Sequence, residues 1–291
     1  MGALPKPLSQ KTIDKMLESW KPETVRTLHA VYASLSNLYG MIMLSDAWPL
    51  VSRQSLKLTK KEFMDFSDIA RREDLPYYVL EIDEVFTEET RKVARRLIVN
   101  KALVVKGYYR FGMLYRLNDE ATTKPLYVPD DLLAYENNDG VELNPDWVKL
   151  CGVVRNLKTK ERSKLSEIVV KEEYGSEAPL ADLILADLKK AIMLGDNPIA
   201  FLFEALNDAD AVISERRVEE LSNLTINSLN KSNIWANSGY SPVELSRQSG
   251  PLDIKAMTMG PGLKQAIRNG DFNVDELEKM LAEKGIKLIK D

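Results

Sequence analysis

The fifty residues from Asn37 to Phe86, NLYGMIMLSDAWPLVSRQSLKLTKKEFMDFSDIARREDLPYYVLEIDEVF, decide how the N-terminal part of this chain folds. They begin at the end of a helix. Upstream, Val25, Leu28, Val31, Tyr32, Leu35, Leu38 and Tyr39 recur at helical spacing, and Gly40 stands where a helix stop belongs. Lys21-Pro22 separates that helix from a shorter one over residues 10–19, which a Pro-containing arm precedes. After the apolar run MIML, a helix from about Asp46 to Arg53 takes Ser45 or Asp46 as its cap, with Pro49 tolerated in the first turn. The next start is better marked. Thr59 and Glu62 form a capping box, and Leu58 and Phe63 are spaced as the hydrophobic staple around it. That helix turns Phe63, Phe66, Ile69 and Ala70 inward and ends near Glu73. Residues 77–87, YYVLEIDEVFT, are rich in aromatic and β-branched side chains and read as extended.

Helix, short strand, helix, helix, strand pair is the order of a winged helix, a helix-turn-helix variant with a β-wing. In a DNA reader the third helix enters the groove. Here its outward residues are Lys60, Lys61, Asp65, Asp68, Arg71, Arg72, Glu73 and Asp74. Their charges nearly cancel, whereas phosphate binding favours cationic excess. A winged helix that makes protein contacts needs no such excess.

The largest compositional anomaly follows directly. Net charge is −4, yet Arg91 to Leu117 holds no Asp or Glu and eight cations: Arg91, Lys92, Arg95, Arg96, Lys101, Lys106, Arg110 and Arg116. TEETRKVARRLIVNK, residues 87–101, reads as a helix with acids at its start and bases at its end, as the helix dipole prefers. YYRFGMLYRL, residues 108–117, alternates and reads as β-hairpin. Tyr109, Phe111, Met113, Tyr115 and Leu117 fall on one face, and Tyr108, Arg110, Leu114 and Arg116 on the other. Lys106-Gly107-Tyr108 matches the opening of the ribonucleoprotein box of RNA-recognition motifs, and Tyr109-Arg110 breaks the match. Two readings stand. Either the eight cations and Tyr108 form a nucleic-acid or anion surface, or the cations answer acidic neighbours in 81–89 and 130–146.

Residue counts remove several chemistries. One cysteine, Cys151, and one histidine, His29, exclude an intrachain disulfide and leave a Cys/His zinc site short of ligands. A Ser-His-Asp triad would have to recruit His29 from the face of an amphipathic helix. YVPDDLLAYENNDGVELNPDW, residues 127–147, gathers Asp130, Asp131, Glu136, Asp139, Glu142 and Asp146. Aligning Gly140 with the glycine of a calcium loop puts Tyr135 where the first acidic ligand belongs, so that match fails. Carboxylates of 130–146 holding a divalent ion for a hydrolase remain an alternative. Ser228…Lys231 fits Ser-x-x-Lys without its companion motifs, and Gly260-Pro261-Gly262 lacks the Lys-Ser/Thr of a phosphate loop. No catalytic residue, metal or cofactor is assigned.

Beyond Lys158 the pattern reads as helical to the end. Residues 161–173 are charged. LADLILADLKKAIML, residues 180–194, is amphipathic and closes at Gly195, and Asn197-Pro198 starts the next helix. A long helix spans about Asp208 to Leu229, and a last one about Val274 to Glu283. Between them lies NIWANSGYSPVEL, Asn233 to Leu245. Ser241 and Glu244 make a capping box with Pro242 at the first helical position, and Gly239 permits the chain reversal before it. Asn233 and Asn237 have the chemistry to bond the turn, and Trp235 and Tyr240 pack on the long preceding helix. The segment reads as a structural clasp.

Two of these pieces resemble segments of bacterial and phage proteins of the SEC-C-motif (YecA-like) group. One is the stretch 37–86, with its LYG helix end, two short helices and a strand rich in Tyr and acids. The other is NKSNIWANSGYSPVEL, similar to the Asn- and Trp-containing run ending in Ser/Thr-Pro-x-Glu-Leu that such proteins carry near their C-terminus. The resemblance covers about a third of the chain and implies the architecture and a bacterial or phage origin. Many of those proteins end in a cysteine-rich zinc motif; this chain ends in EKGIKLIKD, so the metal and partner contacts of that motif do not carry over.

The expected architecture is mainly α with a small β component. It comprises an arm and short helix (1–20), a winged-helix-like module (21–90), a basic helix and β-hairpin region with an acidic loop (91–150), and a C-terminal helical domain (151–291). No window approaches the apolar length of a membrane span. The N-terminus lacks a signal-peptide core, and Gly2 with Pro5 and Pro7 is a poor acylation context, which points to the cytoplasm. The expected function is non-enzymatic: a regulatory or adaptor protein binding a macromolecular partner, with nucleic acid engaged through 91–117. The alternatives are protein–protein interaction or self-assembly, and the divalent-metal hydrolase.

Overall fold

Helices α1 (Gln10–Leu17) and α2 (Pro22–Tyr39) part at the Lys21-Pro22 step. α2 stops at Gly40, whose φ of +69° lies in the region that favours glycine. Strand β1 (Met41–Met43) runs straight into α3 (Leu44–Val51). The Leu44 N–H donates to Arg96 O at 2.9 Å, which fixes Met43 as the cap of α3. Neither Ser45 nor Asp46 takes that place, and Pro49 lies inside the helix. α4 (Lys60–Ala70) begins with the expected capping box, Thr59 N–H donating to Glu62 at 2.8 Å. β2 (Tyr77–Leu80) follows, and among the described residues 77–86 only these four are a strand. A second capping box, between Glu81 and Glu84, turns the chain into the single-turn helix α5 (Ile82–Val85).

The computed structural model describes residues 4–86, 92–105, 110–121, 123–171 and 177–248, with short pieces at 256–258, 279 and 287–289. Two compact units result, residues 1–245 and 246–291, so the boundaries drawn at 20, 90 and 150 all fall inside the first.

Residues 92–101 are not a helix. After one 3-10 turn at Val93–Arg95 the chain forms β3 (Leu97–Asn100), the middle strand of an antiparallel sheet of order β1-β3-β2. The reason is burial on both sides. Ile98 joins the core formed by α2, α3 and α4, whereas Leu97 and Val99 join the core of the later helices. A strand covered on both faces shows a continuous apolar run in place of alternation. All three side chains are at most 1% exposed, worth roughly 1.5–3 kcal/mol each.

The β-hairpin expected over 108–117 is replaced by α6 (Gly112–Ala121). Phe111, Leu114 and Leu117, three residues apart, are at most 1% exposed and turn into one core. The alternation read in the same residues was a coincidence of period. α7 (Pro145–Arg155) follows, capped by Asn144. Residues read as helical beyond Lys158 then form an antiparallel pair, β4 (Val169–Lys171) with β5 (Glu177–Pro179). α8 (Leu180–Met193), α9 (Pro198–Asp208), α10 (Glu215–Lys231) and α11 (Pro242–Gln248) complete the helices. The second unit holds β6 (Ala256–Thr258), parallel to β7 (Lys287–Ile289), where no strand was expected. Of the helix expected over 274–283 only Lys279 is described, and Gly260-Pro261-Gly262 lies outside the described residues. The fold is mainly α with a small β component, and among the described residues no helix is long and apolar enough to cross a membrane.

The one histidine sits in the first core. His29 meets Phe66 edge-on, ring centroids 4.8 Å apart, with its Nε2 3.5 Å from Glu73 Oε2. Burial lowers the imidazole pKa and raises that of the carboxyl. Desolvation therefore outweighs the attraction within this long pair, and both groups lean toward their neutral forms. A lowered histidine contributes stability that is full above its unfolded pKa of about 6.5 and is lost as pH falls toward the folded value. The margin of wild type over His29→Gln in urea unfolding is expected to shrink as pH drops below about 6.5. A margin that widens contradicts this placement.

Candidate functional site

The cations of 91–117 divide by burial. Arg96 is 9% exposed. Its Nε donates to Glu81 at 2.8 Å, and one terminal nitrogen donates to Ser67 and Asp68, both at 2.6 Å. Arg116 sits on the half-exposed side of α6, holding both carboxylate oxygens of Asp196, Glu120 one turn on, and Leu194 O. Lys101 pairs with Asp74 at 2.6 Å and lies 5.2 Å from the Tyr78 ring centroid. Lys92 is exposed, and Arg95 and Arg110 are half-buried. Arg91, Lys106 and Tyr108 lie outside the described residues. The acids that meet these cations come from α4, the α4–β2 turn, α5's cap, α6 and the α8–α9 turn. Arg96, Lys101 and Arg116 form no ion pair with 130–146.

The acidic loop is likewise internally engaged. Asp131 accepts from Leu133 N–H at 3.0 Å, and Asp146 pairs with Lys231 at 2.9 Å. Asp139 accepts two backbone N–H groups and faces Lys189 at 3.0 Å, with Glu142 on the same amine at 2.8 Å. Burial raises the Asp139 carboxyl, against the pull of Lys189. Asp130 and Glu136 are exposed. Among the described residues, no group of three or more His, Cys, Asp or Glu is placed to hold a metal ion. Cys151 is buried, which pushes its thiol up and away from thiolate chemistry. Ser228 donates to Leu224 O inside α10, while Lys231 turns to Asp146.

The clasp joins two distant pieces of sequence. Trp235, 3% exposed, belongs to the core that also holds Leu221 of α10. Its indole lies over Gly40, where an added Cβ would stand 2.7 Å from the ring, and its Nε1 donates to Asn37 O at 2.9 Å. Tyr39 OH donates to Tyr127 O at 2.6 Å, and its ring lies against Gly239, which has φ +86°. Tyr240 stacks edge-on against Tyr127, centroids 5.1 Å apart. Asn233 ties the turn by donating to Gly239 O at 2.6 Å, whereas Asn237 accepts from Lys124. Ser241 and Glu244 form a reciprocal box at the start of α11, around Pro242.

One residue escaped the sequence reading. Asn37 donates to Tyr135 O and Glu136 O, accepts from Asn100, and receives the Trp235 indole on its backbone. The only sequence signal is a polar side chain in the last turn of an apolar helix. A pocket of about 570 Å³ with a mixed lining opens beside it, bordered among others by Asn100, Asp139, Lys189, Met193 and Trp235. Lys189 pairs with Asp139, and Asn100 donates to Asn37. A second pocket, about 220 Å³, lies along β1. No protein-family model, curated protein or solved structure matches the chain.

Proposed function

We propose that this chain is a non-enzymatic adaptor or regulatory protein, that its partner is a protein, and that residues 21–100 act as a winged-helix-like contact module. The observation that carries the reading is Arg96. The most buried cation among the described residues of the basic window is spent on Glu81, Asp68 and Ser67, inside the fold. The exposed face of α4 gives no cationic excess either, since Lys61 pairs with Asp65 and Asp68 with Arg96. Both faces of the β1-β3-β2 sheet are packed, so the wing is not a free ribbon. On the positive side, Leu143, Val148, Val218 and Ile226, on α7, α10 and the turn before α7, keep 40–62% of their surface exposed. Exposed apolar side chains on neighbouring helices suit a protein contact.

A gel-shift series with short single- and double-stranded DNA and RNA, at 50 and 200 mM salt, tests the reading. The expected result is no specific complex at either salt. A complex that weakens steeply with salt, and is lost when Arg95, Arg96, Arg110 and Arg116 are changed to Ala in a chain that still folds, would return the function to the basic window.

A further inference from the structure

The β1-β3-β2 sheet has an outer edge along β1 whose hydrogen-bonding groups face a pocket. Two printed contacts fix the phase of the strand. Asn100 N–H donates to Gly40 O at 2.7 Å, and Leu44 N–H donates to Arg96 O at 2.9 Å. With Met41 opposite Val99 and Met43 opposite Leu97, Gly40, Ile42 and Leu44 bond toward β3, and Met41 and Met43 direct their N–H and C=O groups away from it. Met43 caps α3, so its carbonyl serves that helix. The N–H and C=O of Met41 and the N–H of Met43 have no partner among the described residues. The other edge is less open, because Arg71 donates to Val79 O of β2 at 3.1 Å.

The pocket touches Met41, Ile42 and Met43 in succession. Side chains of a strand alternate between faces, so a pocket meeting three consecutive residues runs along the edge of the sheet. Its far wall is Leu117 and Ala121 of α6 with Leu126, and Asp46 stands at the rim. At about 220 Å³ it exceeds the roughly 150 Å³ cavity that takes a benzene ring. One large apolar side chain therefore fits. Methionine walls adapt readily to such a guest. Asp46 is exposed, bonded to Ser45 and in no ion pair among the described residues; Lys124, the cation on the pocket wall, donates to Ala236 O and Asn237 instead.

We propose that β1 is a strand-addition site for an extended segment of a protein partner. One residue of the segment exchanges both main-chain bonds with Met41, and a neighbouring carbonyl accepts from Met43. An apolar side chain enters the pocket, and a Lys or Arg lies against Asp46. Main-chain bonds supply affinity in this mode, and the pocket and carboxylate supply specificity. This rests on the protein-partner reading and adds where the partner binds and its chemistry.

The test screens the full chain against a displayed library of random nonapeptides and follows the best binder, as a synthetic peptide, by amide hydrogen exchange. The expected binder carries a large apolar residue with a basic one nearby, and it slows exchange at Met41 and Met43. N-methylation of its backbone at the residue paired with Met41, measured with the unaltered protein, weakens binding at least tenfold. Ala121→Phe, which fills the pocket, does the same, and Asp46→Lys weakens basic binders several-fold. Binders that leave Met41 and Met43 exchange unchanged, or tolerate the N-methyl group, overturn the site while leaving the protein-partner reading intact. An empty screen also overturns it. The partner reading itself falls only to the nucleic-acid result above.

Discussion

Trp235→Ala is expected to destabilise the first unit by about 3–5 kcal/mol, the range for deleting a buried aromatic side chain. The indole is 3% exposed, and its Nε1 satisfies Asn37 O, so truncation opens a cavity and strands a carbonyl together. Its neighbour makes the prediction sharper. Gly40→Ala places a side chain at φ +69°, which costs roughly 1–2 kcal/mol, and sets the new Cβ 2.7 Å from the indole, an overpacking that adds about 1–3 kcal/mol. Without the indole the collision disappears and only the backbone cost remains. Urea unfolding of both single variants and the double variant is therefore expected to show the double less damaged than the sum, by about 1–3 kcal/mol. Strict additivity would mean that the ring does not lie on Gly40.

The parts of this geometry that could be read from sequence are the local ones. A glycine after an apolar helix, Thr59 with Glu62, and Ser241 with Glu244 announce themselves because cap and capped group lie within four residues. That Trp235 comes to rest on Gly40 is invisible at that range. Within the window 91–117 the local pattern misleads for a related reason. The apolar run Leu97-Ile98-Val99 shows no alternation because both faces of β3 are covered, and the coverage comes from helices far along the chain. In Phe111, Leu114 and Leu117 a helical period of three lay beneath an apparent alternation of two. A charge count along the sequence registers only near neighbours, so Arg96 looks unopposed although Asp68 and Glu81 meet it from 28 and 15 residues upstream. The β1 edge leaves no sequence signal at all, since every non-proline residue carries the same N–H and C=O.

Arg96→Ala is the second large effect expected, and it separates an internal ion pair from a recognition surface. Truncation leaves Glu81 without its cation at a site where the carboxylate side chain is only 14% exposed. An orphaned buried charge costs about 3–5 kcal/mol. Asp68, at 60% exposure, rehydrates and adds little. Adding Glu81→Gln to Arg96→Ala should therefore recover part of the loss, which a purely steric defect would not allow. The other cations of the window should follow their exposure. Arg116→Ala, at a pair about 40% exposed on each side, should cost at most about 1 kcal/mol. Lys101→Ala, whose partner Asp74 is 80% exposed, should be indistinguishable from wild type in a denaturant titration. Were the window a surface kept ready for phosphates, the order would reverse in kind. Alanine at Arg96 would leave the unfolding midpoint alone and show itself only when nucleic acid was added.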